Sequence, residues 1–282
     1  MKTFTKKVAA ITGAGSGIGQ ALAIQLASQG CHLALSDVDA KGLEETLKRL
    51  GNINIKVTTH IVDVAKREEV YQYAEDVISA HGQVNLVINN AGVALGETVE
   101  NMSYDDFEWL MNINFWGVVY GTKAFLPYLK QSNDGHIVNI SSIFGIIAVP
   151  TQSAYNAAKF AVRGFTESLR EELEIEASCV SASSVHPGGI KTNIARNSRV
   201  GDIASVSSSD KEAAASQFEK IARTTPLEAA DIILAGVKNN HRRILVGRDS
   251  VVIDLLQRVA PSGYQRILES GIKLNRWFSQ TK

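Results

Sequence analysis

The chain has 282 residues, 45% of them apolar and 21% charged, with 29 basic and 29 acidic side chains. That size and balance suit a soluble α/β protein with a substantial core, and they give no support to nucleic-acid binding, which needs a basic face. The two cysteines, Cys31 and Cys179, stand far apart and unpatterned, so no disulfide framework is expected and a reducing, cytoplasmic setting is.

Short β-rich runs alternate with longer helical patterns. The first apolar run, Val8–Thr12, meets Gly13 too early for a signal peptide or a membrane span. Strands are expected there and at His32–Ser36, Ile53–Thr59, Asn85–Asn89, His136–Ser141, Val180–His186 and Arg243–Val246. Helices are expected over Gly17–Gln29, Ala40–Leu50, Lys66–Ala80, Tyr104–Lys130 and Ser153–Ala177, with Pro127 marking a helix end. Alternation of this kind predicts βαβ units and a parallel sheet covered on both faces. The expected fold is a single Rossmann-type, doubly wound α/β domain with a mostly parallel seven-stranded sheet. Residues 1–250 form its body, with residues 193–225 read as a substrate flap. Residues 251–282 form a basic, amphipathic helical extension.

Thr12-Gly13-Ala14-Gly15-Ser16-Gly17-Ile18-Gly19 follows the first strand and opens a helix. Glycines there allow a tight turn and close approach of the backbone to a pyrophosphate, and the helix N-terminus supplies unpaired N–H groups for an anion. Asp37 ends the second strand-like run. A carboxylate at that place can accept hydrogen bonds from both ribose hydroxyls of NAD and repels the 2′-phosphate of NADP. Its other reading is an N-cap for the next helix, with Asp39 as rival.

Tyr155 and Lys159 lie four apart, which puts a phenol and an ammonium on one helix face. A nearby cation favours the phenolate and brings a tyrosine within range of proton exchange at neutral pH. Ser142, upstream, offers a hydroxyl to hold a substrate oxygen.

In order and spacing, Thr12–Gly19, Asp63-Val64, Asn89-Asn90-Ala91-Gly92, Asn114, Ser142, Tyr155-x-x-x-Lys159 and Pro187-Gly188 with Thr192 resemble the short-chain dehydrogenase/reductase family over roughly residues 5–250. The resemblance implies a catalytic set of Asn114, Ser142, Tyr155 and Lys159. In it Ser142 polarises the substrate oxygen, Tyr155 transfers the proton, Lys159 binds the nicotinamide ribose and lowers the Tyr155 pKa, and Asn114 holds a water. It also implies a cofactor cleft built from Gly13, Ser16, Gly17, Ile18 and Gly19, with Asp37 at the ribose and Asp63 and Val64 at the adenine. Asn90, Ala91 and Gly92 line that cleft, and Tyr155, Lys159, Pro187, Gly188 and Thr192 lie beside the nicotinamide. Homodimers or homotetramers through the long helices are usual in the family. No metal is expected, since the six histidines show no ligand spacing.

Val93–Leu95 and Ile143, Phe144, Ile146, Ile147 and Val149 are apolar, so they read either as core or as the border of a hydrophobic alcohol or carbonyl substrate. The segment from Lys238 to Lys282 has nine Lys/Arg against three Asp/Glu. Val251, Val252, Leu255, Leu256 and Val259 make an apolar stripe in it, continued by Ile267, Leu268, Ile272, Leu274, Trp277 and Phe278. Packing against the body or a neighbour is the first reading, and a membrane-surface contact the second. The leading function is an NAD(H)-dependent alcohol dehydrogenase or carbonyl reductase, NAD ahead of NADP. The alternatives are an NADPH-preferring carbonyl or 3-oxoacyl reductase, or a non-catalytic dinucleotide sensor.

Overall fold

The computed structural model describes residues 1–194, 198–200, 222–266 and 269–270. Most of the expected flap, and Ile267, Leu268 and residues 271–282 of the extension, lie outside the described residues.

Seven parallel strands form the central sheet: β1 (Val8–Thr12), β2 (His32–Asp37), β3 (Val57–Ile61), β4 (Leu86–Asn89), β6 (Gly135–Ile140), β7 (Val180–Pro187) and β9 (Arg243–Val246), in the order β3-β2-β1-β4-β6-β7-β9. A short pair, β5 (Leu95–Gly96) and β8 (Arg199–Val200), stands apart. Strand order reverses between β1 and β4, and a crevice at such a switch point is where doubly wound sheets take ligands. β1 is buried at all five residues, as expected of a central strand covered on both faces.

On one face lie α1 (Gly17–Ser28), α2 (Ala40–Leu50) and α7 (Pro226–Lys238), whose Leu22, Leu26, Leu43, Ile233 and Leu234 join Ile11 and Ile88 in one core cluster. On the other lie α3 (Arg67–His81), α5 (Gly117–Gln131) and α6 (Ser153–Ile175), with Tyr73, Val77, Phe125, Leu129 and Leu173 in a second. Each such fully buried side chain stabilises the fold by about 1.5–3 kcal/mol. The Tyr73 hydroxyl enters the core only because it donates to the Ala34 carbonyl at 2.7 Å.

The structure departs from the expected elements at four places. The helix expected over Tyr104–Lys130 is α4 (Tyr104–Met111), a π-helical segment Asn112–Trp116, and α5. Pro127 sits inside α5 rather than at its end, where both it and Lys123, whose carbonyl loses its i+4 donor, face solvent. β3 begins at Val57, because Ile53 and Ile55 form a bend held by their own backbone bonds. In α8 (Arg248–Val259), Leu256 packs near Tyr264, but Val251, Val252, Leu255 and Val259 are exposed rather than packed on the body. Among the described residues no helix is long and apolar enough to cross a membrane.

Candidate active site

Because the strands are parallel, the ends of β1, β4, β6 and β7 share one edge of the sheet, and the expected site residues gather there. The turn from β1 to α1 has Gly13 at φ 65° and Gly17 at φ 54°. Glycine adopts such angles at no steric cost. A methyl group on Gly19 would stand 2.1 Å from the Gly13 carbonyl oxygen, so the turn closes onto itself. Ser16 is the N-cap of α1, yet its side chain makes no capping bond, and the first N–H groups of the helix stay available. Ile18 packs beneath, on the core.

Asp37 is fixed at the end of β2. One carboxylate oxygen accepts from the Gly15 N–H at 2.8 Å and the other from the Asp39 N–H at 3.0 Å. Asp39, not Asp37, caps α2 by accepting from Lys41. Asp63 accepts from the Ala65 N–H at 3.0 Å, and Lys66 takes the N-cap place of α3. Val64 is buried against Gly117, where a methyl would meet it at 2.9 Å. Asn90 donates to the Thr12 and Gly13 carbonyls, and the Asn90 and Ala91 N–H groups donate to the Thr12 hydroxyl. Pro187 ends β7, and the Gly188 N–H continues its ladder to the Val246 carbonyl. Thr192 lies over the start of α1, with its Cγ2 3.2 Å from the place a Gly17 methyl would take.

Asn114, Ser142, Tyr155 and Lys159 come from three different elements. Asn114, fully buried in the π segment, accepts from the Val93 N–H and donates to the Val93 carbonyl, both at 2.8 Å. A methyl on Gly92 would be 3.2 Å from the Asn114 Oδ1 and 3.6 Å from the Lys159 Nζ, so the two side chains converge on one glycine. Lys159 donates to the Ile140 carbonyl at 3.0 Å and lies 5.5 Å from the centre of the Tyr155 ring. Burial pulls its ammonium down to about 8. Burial also pushes the Tyr155 phenol up to about 12, opposed by the nearby Ser142 hydroxyl. The Lys159 ammonium is turned to the Ile140 main-chain carbonyl beside the ring.

The apolar segments divide. Ile146 and Ile147 are core beneath Tyr264, and Leu95 is core beside Leu110, while Phe144 meets Tyr155 edge-on at 6.1 Å between ring centres. Sequence reasoning missed Ser141 and His186, which hold the same strand ends. Ser141 donates to the Lys159 carbonyl at 2.8 Å, and His186, wholly buried, reaches the Ser142 carbonyl at 3.0 Å. Ser141 was legible only as a neighbour of Ser142. His186 carries no pattern of its own, since its role depends on how β6 and β7 lie side by side. Among the described residues no three potential ligands gather to hold a metal.

A glycine turn with uncapped helix N–H groups and a fixed carboxylate has the polarity a dinucleotide needs. With a hydroxyl, a phenol and an ammonium on the same sheet edge, it defines an oxidoreductase of the doubly wound class. The profile described as short chain dehydrogenase matches residues 7–202. The chain is similar to the Mycobacterium tuberculosis protein named oxidoreductase SadH, 48% identical over 96% of this chain and 97% of that one. It is also similar to human estradiol 17-beta-dehydrogenase 11, at 28% identity over 97% and 85% of the two chains. A short chain dehydrogenase/reductase from Burkholderia phymatum, solved in complex with NAD, has a TM-score of 0.83 and 32% identity over 92% of this chain and 95% of that one. The chain belongs to the short-chain dehydrogenase/reductase family of oxidoreductases.

Proposed function

We propose that the chain is an NAD(H)-dependent enzyme that moves a hydride between nicotinamide and a hydrophobic secondary alcohol, ketone or aldehyde. The observation that carries this reading is the gathering of Ser142, Tyr155 and a buried Lys159 at one edge of the sheet, with the Lys159 Nζ 5.5 Å from the Tyr155 ring centre. When bound, the nicotinamide supplies the centre that gives or takes hydride. The start of α1 holds the pyrophosphate, and Asp37 accepts from the adenosine ribose and disfavours a 2′-phosphate. Ser142 holds the substrate oxygen beside Tyr155, which gives or takes the proton. Lys159, at about 8, keeps its charge at neutral pH and is the cation that can favour the phenolate. The main chain at Asn114, in the widened π turn, holds a water on the route from Lys159 to solvent.

Phe144 and Val93 beside Tyr155 support an apolar substrate. The name of the human relative points the same way. An aromatic face supports a homodimer or homotetramer: Trp116 and Phe160 are 43% and 40% exposed, and Trp116 stacks on Tyr120. The test is a panel of hydrophobic alcohols and ketones with NAD and NADP, followed by nicotinamide absorbance. Turnover faster with NAD is expected. Failure of every pair to turn over, despite cofactor binding, would leave the sensor reading standing instead.

A further inference from the structure

We propose that His186 is a positioning residue for Ser142: its ring adds a second hydrogen bond to the Ser142 carbonyl, beside that of the Gly145 N–H, and so helps to orient the Ser142 hydroxyl. The inference rests on the functional reading above and deepens it.

β6 and β7 pair in register as far as Ile140 and Val185, and the Ser141 N–H still bonds the Val185 carbonyl. At Ser142 the chain leaves the sheet for a short 3-10 turn, Ile143–Gly145. Its carbonyl has left the strand ladder and accepts from the Gly145 N–H at 2.9 Å, which fills one of its two lone pairs. His186 fills the second lone pair from the side of β7, its Nδ1 3.0 Å from that oxygen. A carbonyl only accepts, so Nδ1 carries the hydrogen. The other ring nitrogen lies 3.0 Å from the Ser184 hydroxyl, which is also fully buried. Burial pulls the imidazole down to about 4, so the ring is neutral, Nε2 accepts, and Ser184 donates. Hydrogen bonds thus run in one direction from Ser184 through His186 to Ser142.

The consequence falls on the Ser142 side chain. Its Oγ already accepts from the Phe144 N–H at 3.1 Å, which leaves its O–H free for a substrate or tyrosine oxygen. Both the Oγ and the carbonyl are therefore held, and the hydroxyl has one direction left. His186 touches none of the reacting atoms, so it acts by orientation alone.

Two variants separate orientation from packing. His186→Leu keeps the bulk and removes the donor, while His186→Asn places an amide N–H near the Nδ1 position. Expected is a fall in kcat of about 10-fold or more in the leucine variant, and within about 3-fold of wild type in the asparagine variant. The KM for NAD should stay unchanged in both. A leucine variant with wild-type kcat overturns the proposal, and so does equal loss in both variants. Should the leucine variant fail to fold, imidazole 15N NMR of the wild type decides. Hydrogen on Nδ1 supports the proposal, and hydrogen on Nε2 overturns it. Wild-type protein without turnover would remove the functional reading and this inference together, whereas an active wild type with a fully active leucine variant removes this inference alone.

Discussion

Ser141 gives its hydroxyl hydrogen to the Lys159 carbonyl across 2.8 Å, tying the strand end before Ser142 to the helix that carries Tyr155. Lys159 returns the tie through its ammonium, which donates to the Ile140 carbonyl at 3.0 Å. Ser141→Ala should cost about 1 kcal/mol, or about 2–4 °C in Tm. It should lower kcat more than it raises the KM for NAD. An unchanged melt and unchanged kinetics would show the tie to be idle. Gly145→Ala should do more harm, because its methyl would stand 2.4 Å from the Ser141 hydroxyl and 2.6 Å from the Lys159 carbonyl.

Tyr155→Phe removes one oxygen and keeps the ring against Phe144. Turnover should fall by about 100-fold or more, the usual size of an acid–base contribution. NADH binding, read by its fluorescence, should remain. Turnover within a few-fold of wild type would take the proton-transfer role away from Tyr155.

Asp37→Ala should raise the KM for NAD by about 10-fold and leave that for NADP unchanged or lower, because the charge that repels a 2′-phosphate is gone. Some loss of stability should accompany it, since the Gly15 and Asp39 N–H groups lose their acceptor. A cofactor ratio equal to wild type would place the preference elsewhere.

Gly19→Ala puts a methyl 2.1 Å from the Gly13 oxygen and 2.6 Å from the Asn90 amide. The turn must open to admit it, at a cost of about 1–3 kcal/mol. Cofactor affinity and Tm should fall together. A variant that binds NADH as wild type does would show that the cradle tolerates a wider turn.

Acid should weaken the fold before carboxylates matter. Burial pulls His136 down to about 3 and His186 to about 4, against 6.5 for an unburied ring. The unfolded chain therefore takes up these protons first. Stability is whole above about pH 6.5 and falls toward pH 4, at about 1.4 kcal/mol per pH unit for each ring. Urea midpoints at pH 7, 6 and 5 measure the slope. His136→Gln should flatten it, and an unchanged slope would mean that this histidine is not buried neutral.

Much of the site was legible because family motifs carry it. Asp37, Ser142, Tyr155 and Lys159 sit at ends of elements whose periodicity marks where they stop. What escaped were contacts between segments remote in the chain. The bond between His186 and the Ser142 carbonyl, 44 residues apart in the chain, is one case. The break in the helix expected over Tyr104–Lys130 is another. Spacing alone does not place the break at Asn112–Trp116, where Asn114 is held by its hydrogen bonds to Val93.

By itself the sequence determined the alternation of strands and helices, the glycine turn, and the helix that sets a phenol and an ammonium on one face. Each of these follows from spacing along a single element, where period and backbone freedom act over a few residues. Only the tertiary structure decided that Lys159 turns to Ile140, that Ser141 and His186 hold the end of β6, and that most of the α8 stripe faces outward. Those outcomes depend on which buried polar group finds which partner, and the partners meet only when the sheet has formed.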